Sequence, residues 1–488
     1  MNLYQTQWYV TTLLLCTYGS LKEFRPTVPF HHHYQHDALN ISKNILDVDA
    51  HPILTYTWML ALIPVFLLVD LLLYKPLIIL EALTYIAAWV ILVFSNSARS
   101  KQAIESLYGW AAAAEIAYFA YAYATVSREK FRMVTSFTRG ALLLGRFLAF
   151  SLAQLFILLQ MGKYHTFKVI SVVVLCISLF FASILPPVSW KRTYEDKLLL
   201  LELKPKKTLD GRHSFRDLAK LHIKAILRDI RIIYANKITM MWSISWAMAN
   251  CAYSQVENCA RMLWKLKAAE HPQIYDGIVN MSCSLTGLLV VLVVLYVPVD
   301  WSHFGQLFIG VHSLSNALVL LLISHTNSLL IIYFGYGAYS VMYQALITIT
   351  QFNLVDGADM TSCGFVFGLN SFVGLAFQSI LTIVIASLFD LSTVTRPQFL
   401  LEFNILSGSS FQLEQNLARK RLTVLQTTHL GGGILWAKIN LSEVGIHFCA
   451  VFSTVMASFY MSSISVAFSV AFDPGEKSNS RSGRRLSS

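Results

Sequence analysis

Apolar residues occur along the chain in long continuous blocks, and short polar or basic segments separate one block from the next. A transmembrane helix needs about 20 mostly apolar residues to cross about 30 Å of hydrocarbon, and most of the blocks have roughly this length. The pattern therefore predicts an all-α membrane protein with twelve transmembrane helices. The blocks lie near residues 8–22, 53–73, 76–96, 104–125, 134–158, 167–187, 237–260, 273–296, 304–323, 328–352, 362–388 and 446–471.

The overall composition supports this interpretation. Hydrophobic residues make up 55% of the chain and charged residues 13%, and the mean hydropathy is +0.55. A soluble protein of this size carries about twice as much charge. The seven cysteines lie almost entirely inside predicted spans, with no closely spaced pair, so they are typical of packing residues and not of a disulfide or zinc framework.

Lysine and arginine residues are concentrated in three places: the connection 126–133, the connection 188–236 and the tail from residue 473. With twelve spans all three lie on one side of the membrane, and the positive-inside rule makes that side cytoplasmic. Both termini are then cytoplasmic, and the plasma membrane is the expected location. The net charge of +11 is a signal of topology, and it does not indicate a nucleic-acid partner.

Six spans, a long basic connector and six more spans are the outline of two helix bundles that face each other across a pathway. This is the organisation of major facilitator carriers, in which the substrate binds between the halves; a channel or receptor is a less suitable alternative. The segment 404–445 is unusually polar and is interpreted as an irregular outside loop. The expected units are an N-terminal bundle 1–187, a cytoplasmic connector 188–236, a C-terminal bundle 237–472 and a disordered tail 473–488.

The predicted outside loops contain two candidate glycosylation sites, Asn40 and Asn440. The histidine cluster 31–36 has no carboxylate or cysteine partner at ligand spacing, so we predict no metal site there. No catalytic triad, zinc-protease motif or carboxylate pair at hydrolase spacing is present. We therefore predict no catalytic residue, no cofactor and no enzyme activity.

Glu115 is a single carboxylate within the apolar, aromatic run 112–123. Placing such a group in hydrocarbon costs about 2.5–3.5 kcal/mol or more, and membrane-embedded ionisable groups are functional by default. Tyr118 is three residues further on the same helix face, and Trp89 is expected to reach the same cavity. A carboxylate with aromatic faces suits an organic cation. The alternative is an internal ion pair between Glu115 and Arg146, and Arg146 could equally bind an anionic group of the substrate.

Other polar residues are candidates for binding or gating. Asp276 and Asn280 are four residues apart and share one face of the eighth span, where hydrogen bonds between helices are the alternative role. Arg25 is expected in an outer gate at the end of the first span. Asp70 and Lys75 bracket the predicted cytoplasmic turn between spans two and three and are expected to latch an inner gate, with helix capping as the alternative.

Several short motifs together resemble the reduced folate carrier and thiamine transporter family of solute carriers. They include Arg25-Pro26, Tyr74-Lys75-Pro76, Glu115-Ile116-Ala117-Tyr118, Thr135-Ser136 with Arg139, Gln351 and the stretch 365–370. The resemblance implies a major facilitator fold, alternating access and a water-soluble vitamin as substrate, with a coupled proton or organic anion as a further partner.

The resemblance also bears on which vitamin is carried. The basic residues of folate carriers correspond here to Glu115, Ser340 and Gln378, whereas the pocket residues of thiamine carriers are matched by Glu115, Tyr118 and Trp89. A thiamine-like organic cation is thus slightly favoured. Arg146 replaces a pocket tyrosine, and this keeps open folate or another anionic vitamin, or a family member that has lost transport and binds or senses a vitamin.

Overall fold

A computed structural model describes residues 3–28, 51–94, 97–159, 164–189, 215–267, 272–297, 301–326, 328–356 and 362–388, with five single residues between these ranges. In this part of the chain all regular structure is helical. The helices are α1 Leu3–Glu23, α2 His51–Leu68, α3 Lys75–Phe94, α4 Ala98–Ala114, α5 Ile116–Ala124, α6 Phe131–Leu158, α7 Tyr164–Ile184, α8 Phe215–Ala235, α9 Lys237–Lys267, α10 Pro272–Tyr296, α11 Trp301–His325, α12 Leu329–Asp356 and α13 Cys363–Leu388.

Each of the first eleven apolar blocks is helical in the structure. Within the described residues, seven helices are long and apolar enough to cross a membrane: α3, α6, α7, α10, α11, α12 and α13. Helix α2 is apolar but shorter, over Ile53–Leu68. The other spans, α1, α4 with α5 and α9, carry charged and amide side chains and are therefore more polar. The twelfth block, the segment 404–445, both candidate glycosylation sites, the histidine cluster and the tail lie outside the described residues.

The helices form two groups in chain order, and α8 lies between them in sequence. In the first group α1 packs on α6 and α7, and α4 packs between α2 and α3. In the second group α9 packs on α12 and α13, and α12 also packs on α10 and α11. The groups meet where α6 contacts α10 and α12 and where α13 contacts α2 and α5. This is the arrangement of an all-α membrane protein of the major facilitator type.

Helices α1 and α6 cross at close range because α6 has no side chain at Gly145. A methyl group added there would collide with the backbone carbonyl of Ser20 on α1. The close crossing brings the C-terminal end of α1, with Lys22 and Glu23, into the interior of the first group. Both of these side chains are buried.

The fourth span changes its helical geometry at Glu115, where α4 ends and α5 begins. The N–H of Tyr118 donates to the Glu115 carbonyl, only three residues before it, at 3.0 Å. One tightened turn of this kind in the middle of a helix is often found at functional positions. Here it places Glu115 and Tyr118 beside α1.

The helix α8 packs against the side of the bundle that is predicted to be cytoplasmic. Its His222 ring nitrogen lies 3.0 Å from the carbonyl oxygen of Leu67 at the end of α2. Leu221 packs with Leu71 and Leu198, and Ile226 and Ile233 join the main core. The buried residues of α8 thus recur on one face, as an amphipathic helix on a bundle surface requires.

Candidate substrate site

The ammonium group of Lys22 lies between two carboxylates inside the first group of helices. Its Nζ is 2.5 Å from Oε1 of Glu81 on α3 and 3.0 Å from Oε1 of Glu115. The side chains of Lys22 and Glu81 have no exposed surface, whereas 28% of the Glu115 side chain is exposed. One buried cation therefore links α1, α3 and the α4–α5 junction, and of its two carboxylate partners Glu115 is the one that an incoming solute can reach.

Two tyrosine rings complete this cluster, which we name the Lys22 box and define as Lys22, Glu81, Glu115, Tyr18 and Tyr118. The Lys22 Nζ is 4.6 Å from the centre of the Tyr118 ring and 5.8 Å from that of Tyr18. Tyr18 donates to Oε2 of Glu81 at 2.9 Å, and Tyr118 donates to the Thr138 carbonyl at 3.1 Å. Both hydroxyls are therefore satisfied, and both rings are fully buried.

A second ion cluster lies next to the Lys22 box and is centred on Glu23. Oε2 of Glu23 accepts hydrogen bonds from Arg25 at 2.9 Å and from Arg146 on α6 at 2.8 Å. The Arg25 guanidinium also lies 4.6 Å from the centre of the Tyr85 ring. Because two arginines share one buried carboxylate, this cluster carries a net positive charge. The Arg146 side chain is 38% exposed and presents part of that charge to a solute.

Arg139 lies between the two groups of helices. Its Nε donates to Oε1 of Gln351 on α12 at 2.5 Å, and its guanidinium lies 5.0 Å from the Phe119 ring and 5.9 Å from the Trp246 ring. No carboxylate in the described part of the chain forms an ion pair with it. The Arg139 side chain thus turns to Gln351 at the interface between the halves.

The second group contributes an aromatic and amide surface near this interface. Tyr343 on α12 stacks on Tyr253 of α9, with ring centres 4.0 Å apart, and its hydroxyl donates to Asn250 at 2.9 Å. Trp246 stacks on Phe367 of α13 at 5.1 Å. Flat rings and amides flanking an arginine can bind an aromatic solute that also bears a carboxylate.

The sequence suggested an internal ion pair between Glu115 and Arg146, and this pairing is wrong. Glu115 bonds to Lys22, and Arg146 bonds to Glu23. The sequence could not assign these pairs, since each partner depends on where the end of α1 packs. The predicted neighbourhood of Glu115 and Tyr118 is found, but a cation of the protein occupies the position where a ligand cation was expected.

Trp89 is buried in the first group, and its contact with a substrate stays a prediction. It packs in a cluster with Ile104, Ala111 and Leu175, whereas Tyr118 belongs to the main core. Only 1% of Trp89 is exposed. It follows Glu81 and Tyr85 along one face of α3, so it is two helical turns away from the Lys22 box along that helix.

The remaining predicted binding residues lie in the second group. The side chain of Asp276 lies outside the described part of the chain, and Asn280 is half-buried on α10. Gln378 is buried on α13, one turn after Gly374, which contacts the backbone of Ala247 on α9. These residues lie on two helices, α10 and α13, which do not contribute to the Lys22 box, and their contact with a substrate stays a prediction.

The three predicted gating residues make different kinds of contact. Arg25 is tied to Glu23 as described above. Asp70 accepts from the backbone N–H groups of Gly364 at 3.2 Å and Phe365 at 2.8 Å, and thus joins the first group to the start of α13. Lys75 instead donates to the Ser183 carbonyl at 2.8 Å, a contact inside the first group.

Glu81 is the main site residue that the sequence interpretation missed. It is a lone carboxylate within the third apolar block, so the reasoning that singled out Glu115 applies to it equally. An acidic residue in each of two spans and a basic residue near the end of another would have suggested a shared internal cluster.

Two packed groups of helices that meet at a charged, aromatic interface define a membrane protein of the major facilitator type. The crystal structure of the human organic anion transporter MFSD10 (TETRAN) has this fold: it superposes with a TM-score of 0.55 over 94% of this chain and 98% of its own, at 14% sequence identity. At that identity the likeness concerns the fold alone.

Sequence comparison then gives the family. The reduced folate carrier family model matches residues 6–401, and the chain belongs to this family of transporters, which are not enzymes. Folate-like transporter 2 of Caenorhabditis elegans is 40% identical over 394 residues, covering 80% of this chain and 92% of that protein. Thiamine transporter 1 of Homo sapiens is 28% identical over 432 residues, covering 81% and 86%.

Proposed function

We propose that the protein carries a water-soluble vitamin of the folate and thiamine class across the plasma membrane by alternating access. Both termini are cytoplasmic in this proposal, and Asn40 and Asn440 are glycosylated on the outside. The two halves are the units 1–187 and 237–472, joined by the connector 188–236. Names of the relatives support the substrate class, since they include folate, folate-like and thiamine transporters.

Within this class the geometry favours an anionic vitamin such as folate. The observation that carries the proposal is Arg139, a half-buried guanidinium between the two halves that has no carboxylate partner among the described residues. A folate carboxylate would pair with that charge in a bidentate manner. Phe119 and Trp246, which flank Arg139, would stack on the aromatic part of the ligand.

A thiamine-like cation is the second candidate, and Glu115 favours it. This carboxylate is partly exposed and adjoins the Tyr118 ring, as a site for an organic cation requires. Lys22 already occupies that position, so thiamine would have to share Glu115 with an internal cation. The anionic vitamin is therefore the better-supported substrate, and exchange against a proton or an organic anion is the expected mode of coupling.

The test is uptake of labelled folate and labelled thiamine, side by side, in cells that lack other carriers for both vitamins. The full chain and a chain without residues 404–445 are compared at equal surface levels. Saturable folate uptake is the expected result. If the cells take up only thiamine, and Glu115→Gln abolishes that uptake, thiamine replaces folate as the proposed substrate. Absence of saturable uptake of either vitamin, with protein at the surface, would contradict vitamin transport and favour a relative that binds or senses its ligand.

A further inference from the structure

Lys22 makes the contacts that an organic cation would make in the same pocket. Its ammonium has one carboxylate at 2.5 Å, a second at 3.0 Å and a tyrosine face at 4.6 Å. It lies on the protein's own first helix and is fully buried. The ammonium of Lys22 thus occupies the carboxylate–aromatic site, and the carboxylates are paired without a bound solute.

The charges in the Lys22 box show what this occupancy does to a second cation. One lysine and two glutamates give the box a net charge of −1, and the neighbouring cluster of Glu23, Arg25 and Arg146 has a net charge of +1. These two charges cancel, so the two clusters together exert no net attraction on a solute cation, and a cation at the exposed part of Glu115 is repelled by the nearby ammonium of Lys22. Two unit charges ~4 Å apart at an effective dielectric constant of ~20 repel strongly enough to weaken binding at least ~100-fold.

The two carboxylates of the box differ in their exposure to the pocket. Glu81 is fully enclosed and also accepts from Tyr18, so it can serve only Lys22 and that hydroxyl. Glu115 is 28% exposed, and it is the carboxylate that a solute can reach. Removing Lys22 together with the charge of Glu81 would leave Glu115 facing the pocket with the net charge of the box unchanged at −1.

We propose that Lys22 is a specificity-determining residue, a tethered cation that fills the Glu115–Tyr118 site and excludes monocationic ligands such as thiamine. An anionic vitamin is not excluded, because its charge meets Arg139 and Arg146. The inference rests on the proposed transport of a vitamin, but it concerns which charge the pocket accepts and can be tested by binding alone.

The experiment measures binding of labelled thiamine and labelled folate to the purified full chain and to the double variant Lys22→Met/Glu81→Gln. Thiamine affinity is expected to rise ~100-fold in the double variant, with folate affinity changed much less. Adding Glu115→Gln to the double variant should remove the gain. Lys101→Met/Glu105→Gln is the matched control, since it removes a similarly buried ion pair with a 2.8 Å contact on α4 and should leave thiamine affinity unchanged.

A purely structural role for Lys22 predicts a different outcome. The double variant would then lose stability without gaining thiamine affinity. A double variant that folds but binds thiamine as the parent chain does would overturn the proposal. If the double variant does not fold, Lys22→Gln alone provides the same comparison, with Lys22→Arg as the variant that should still exclude thiamine. Thiamine gain in a protein that transports neither vitamin would uphold the inference and contradict the proposed function. Folate transport without any gain in thiamine affinity would uphold the proposed function and contradict the inference.

Discussion

Asp70, just after the end of α2, accepts a hydrogen bond of 2.8 Å from the backbone N–H of Phe365 in the first turn of α13. The N–H of Gly364 adds a second bond at 3.2 Å, and the Tyr74 hydroxyl donates a third at 2.8 Å. The first N–H groups of a helix have no partner within the helix, and its N-terminal end carries partial positive charge. One buried carboxylate therefore joins the two groups of helices on the side predicted to be cytoplasmic.

The turn that follows Asp70 is strained in a way that serves this contact. Leu73 and Tyr74 both have left-handed backbone conformations, with φ of 57° and 68°. Non-glycine residues rarely adopt this conformation and need the surrounding structure to hold them there. The turn directs the Tyr74 hydroxyl back to Asp70, so it contributes to the position of the carboxylate.

Replacing Asp70 by asparagine should open the cytoplasmic side of the carrier. The amide has one acceptor oxygen in place of two and turns an NH₂ group toward backbone donors. Charge-assisted hydrogen bonds are worth about 1.5–3 kcal/mol each, so the closed state should lose roughly tenfold or more in population. The measurement is the rate at which a membrane-impermeant maleimide labels Cys363, the residue before Gly364, in a chain whose six other cysteines are serine.

The matched control for Asp70→Asn is Lys75→Met. Lys75 lies in the same turn region, but it bonds to the Ser183 carbonyl within the first group of helices. Its loss should leave the labelling rate of Cys363 near that of the parent chain. Equal labelling in Asp70→Asn and the parent would show that Asp70 caps α13 without closing the pathway.

The sequence predicted the helices well because transfer into hydrocarbon is a property of each block by itself. It also identified Glu115 and Asp70 as unusual, since an isolated charge in or beside an apolar block has a known cost. The sequence did not show which residues pair with these carboxylates. Lys22 meets Glu81 and Glu115 across 59 and 93 residues of chain, and such a meeting depends on how three helices pack. The sequence also does not show where the Arg139 guanidinium lies, because a long side chain can turn either to the surface or to an acceptor on a neighbouring helix.

Glu81 and Glu115 should differ in their effect on stability although both bind Lys22. Removing one member of a buried ion pair typically costs about 3–5 kcal/mol, because the other charge stays buried. In Glu81→Gln the fully enclosed lysine loses its 2.5 Å partner and keeps only the partly exposed one. In Glu115→Gln the enclosed pair remains. The thermal unfolding midpoint of the purified chain should therefore fall clearly further in Glu81→Gln, and a larger fall in Glu115→Gln would contradict the assignment of Glu81 as the principal partner.

Arg139→Gln should strongly reduce uptake of an anionic vitamin while the protein still reaches the cell surface. The guanidinium has no ion-pair partner among the described residues, so its removal leaves no carboxylate unpaired. A bound anionic vitamin, in contrast, would lose a charge-assisted contact. Its uptake at low substrate concentration should therefore fall at least ~10-fold. Arg139→Lys should restore only part of it, since an ammonium cannot make the bidentate contact.

The control for Arg139→Gln is Arg132→Gln, two turns earlier on α6. Arg132 donates to the Val297 carbonyl at 3.2 Å near the predicted cytoplasmic surface and lies away from the aromatic residues that flank Arg139. Its substitution should leave the apparent affinity for the vitamin unchanged. Equal loss of uptake in both variants would indicate a general effect of positive charge on α6 and would contradict a specific anion site at Arg139.

Gly19→Ala should disturb the Lys22 box from the side of α1. A methyl group at Gly19 would overlap the hydroxyl and ring of Tyr118, which is fully buried and held by its bond to the Thr138 carbonyl. Overpacking of this kind costs about 1–3 kcal/mol and moves the ring or the helix. Transport should therefore fall together with the unfolding midpoint. Gly337→Ala on α12 is the control, because its methyl group would lie 3.9 Å from Sγ of Cys283 in ordinary contact. Full transport in Gly19→Ala would show that Tyr118 can move away from Lys22 without loss of function, and the tyrosine would then not be part of the site.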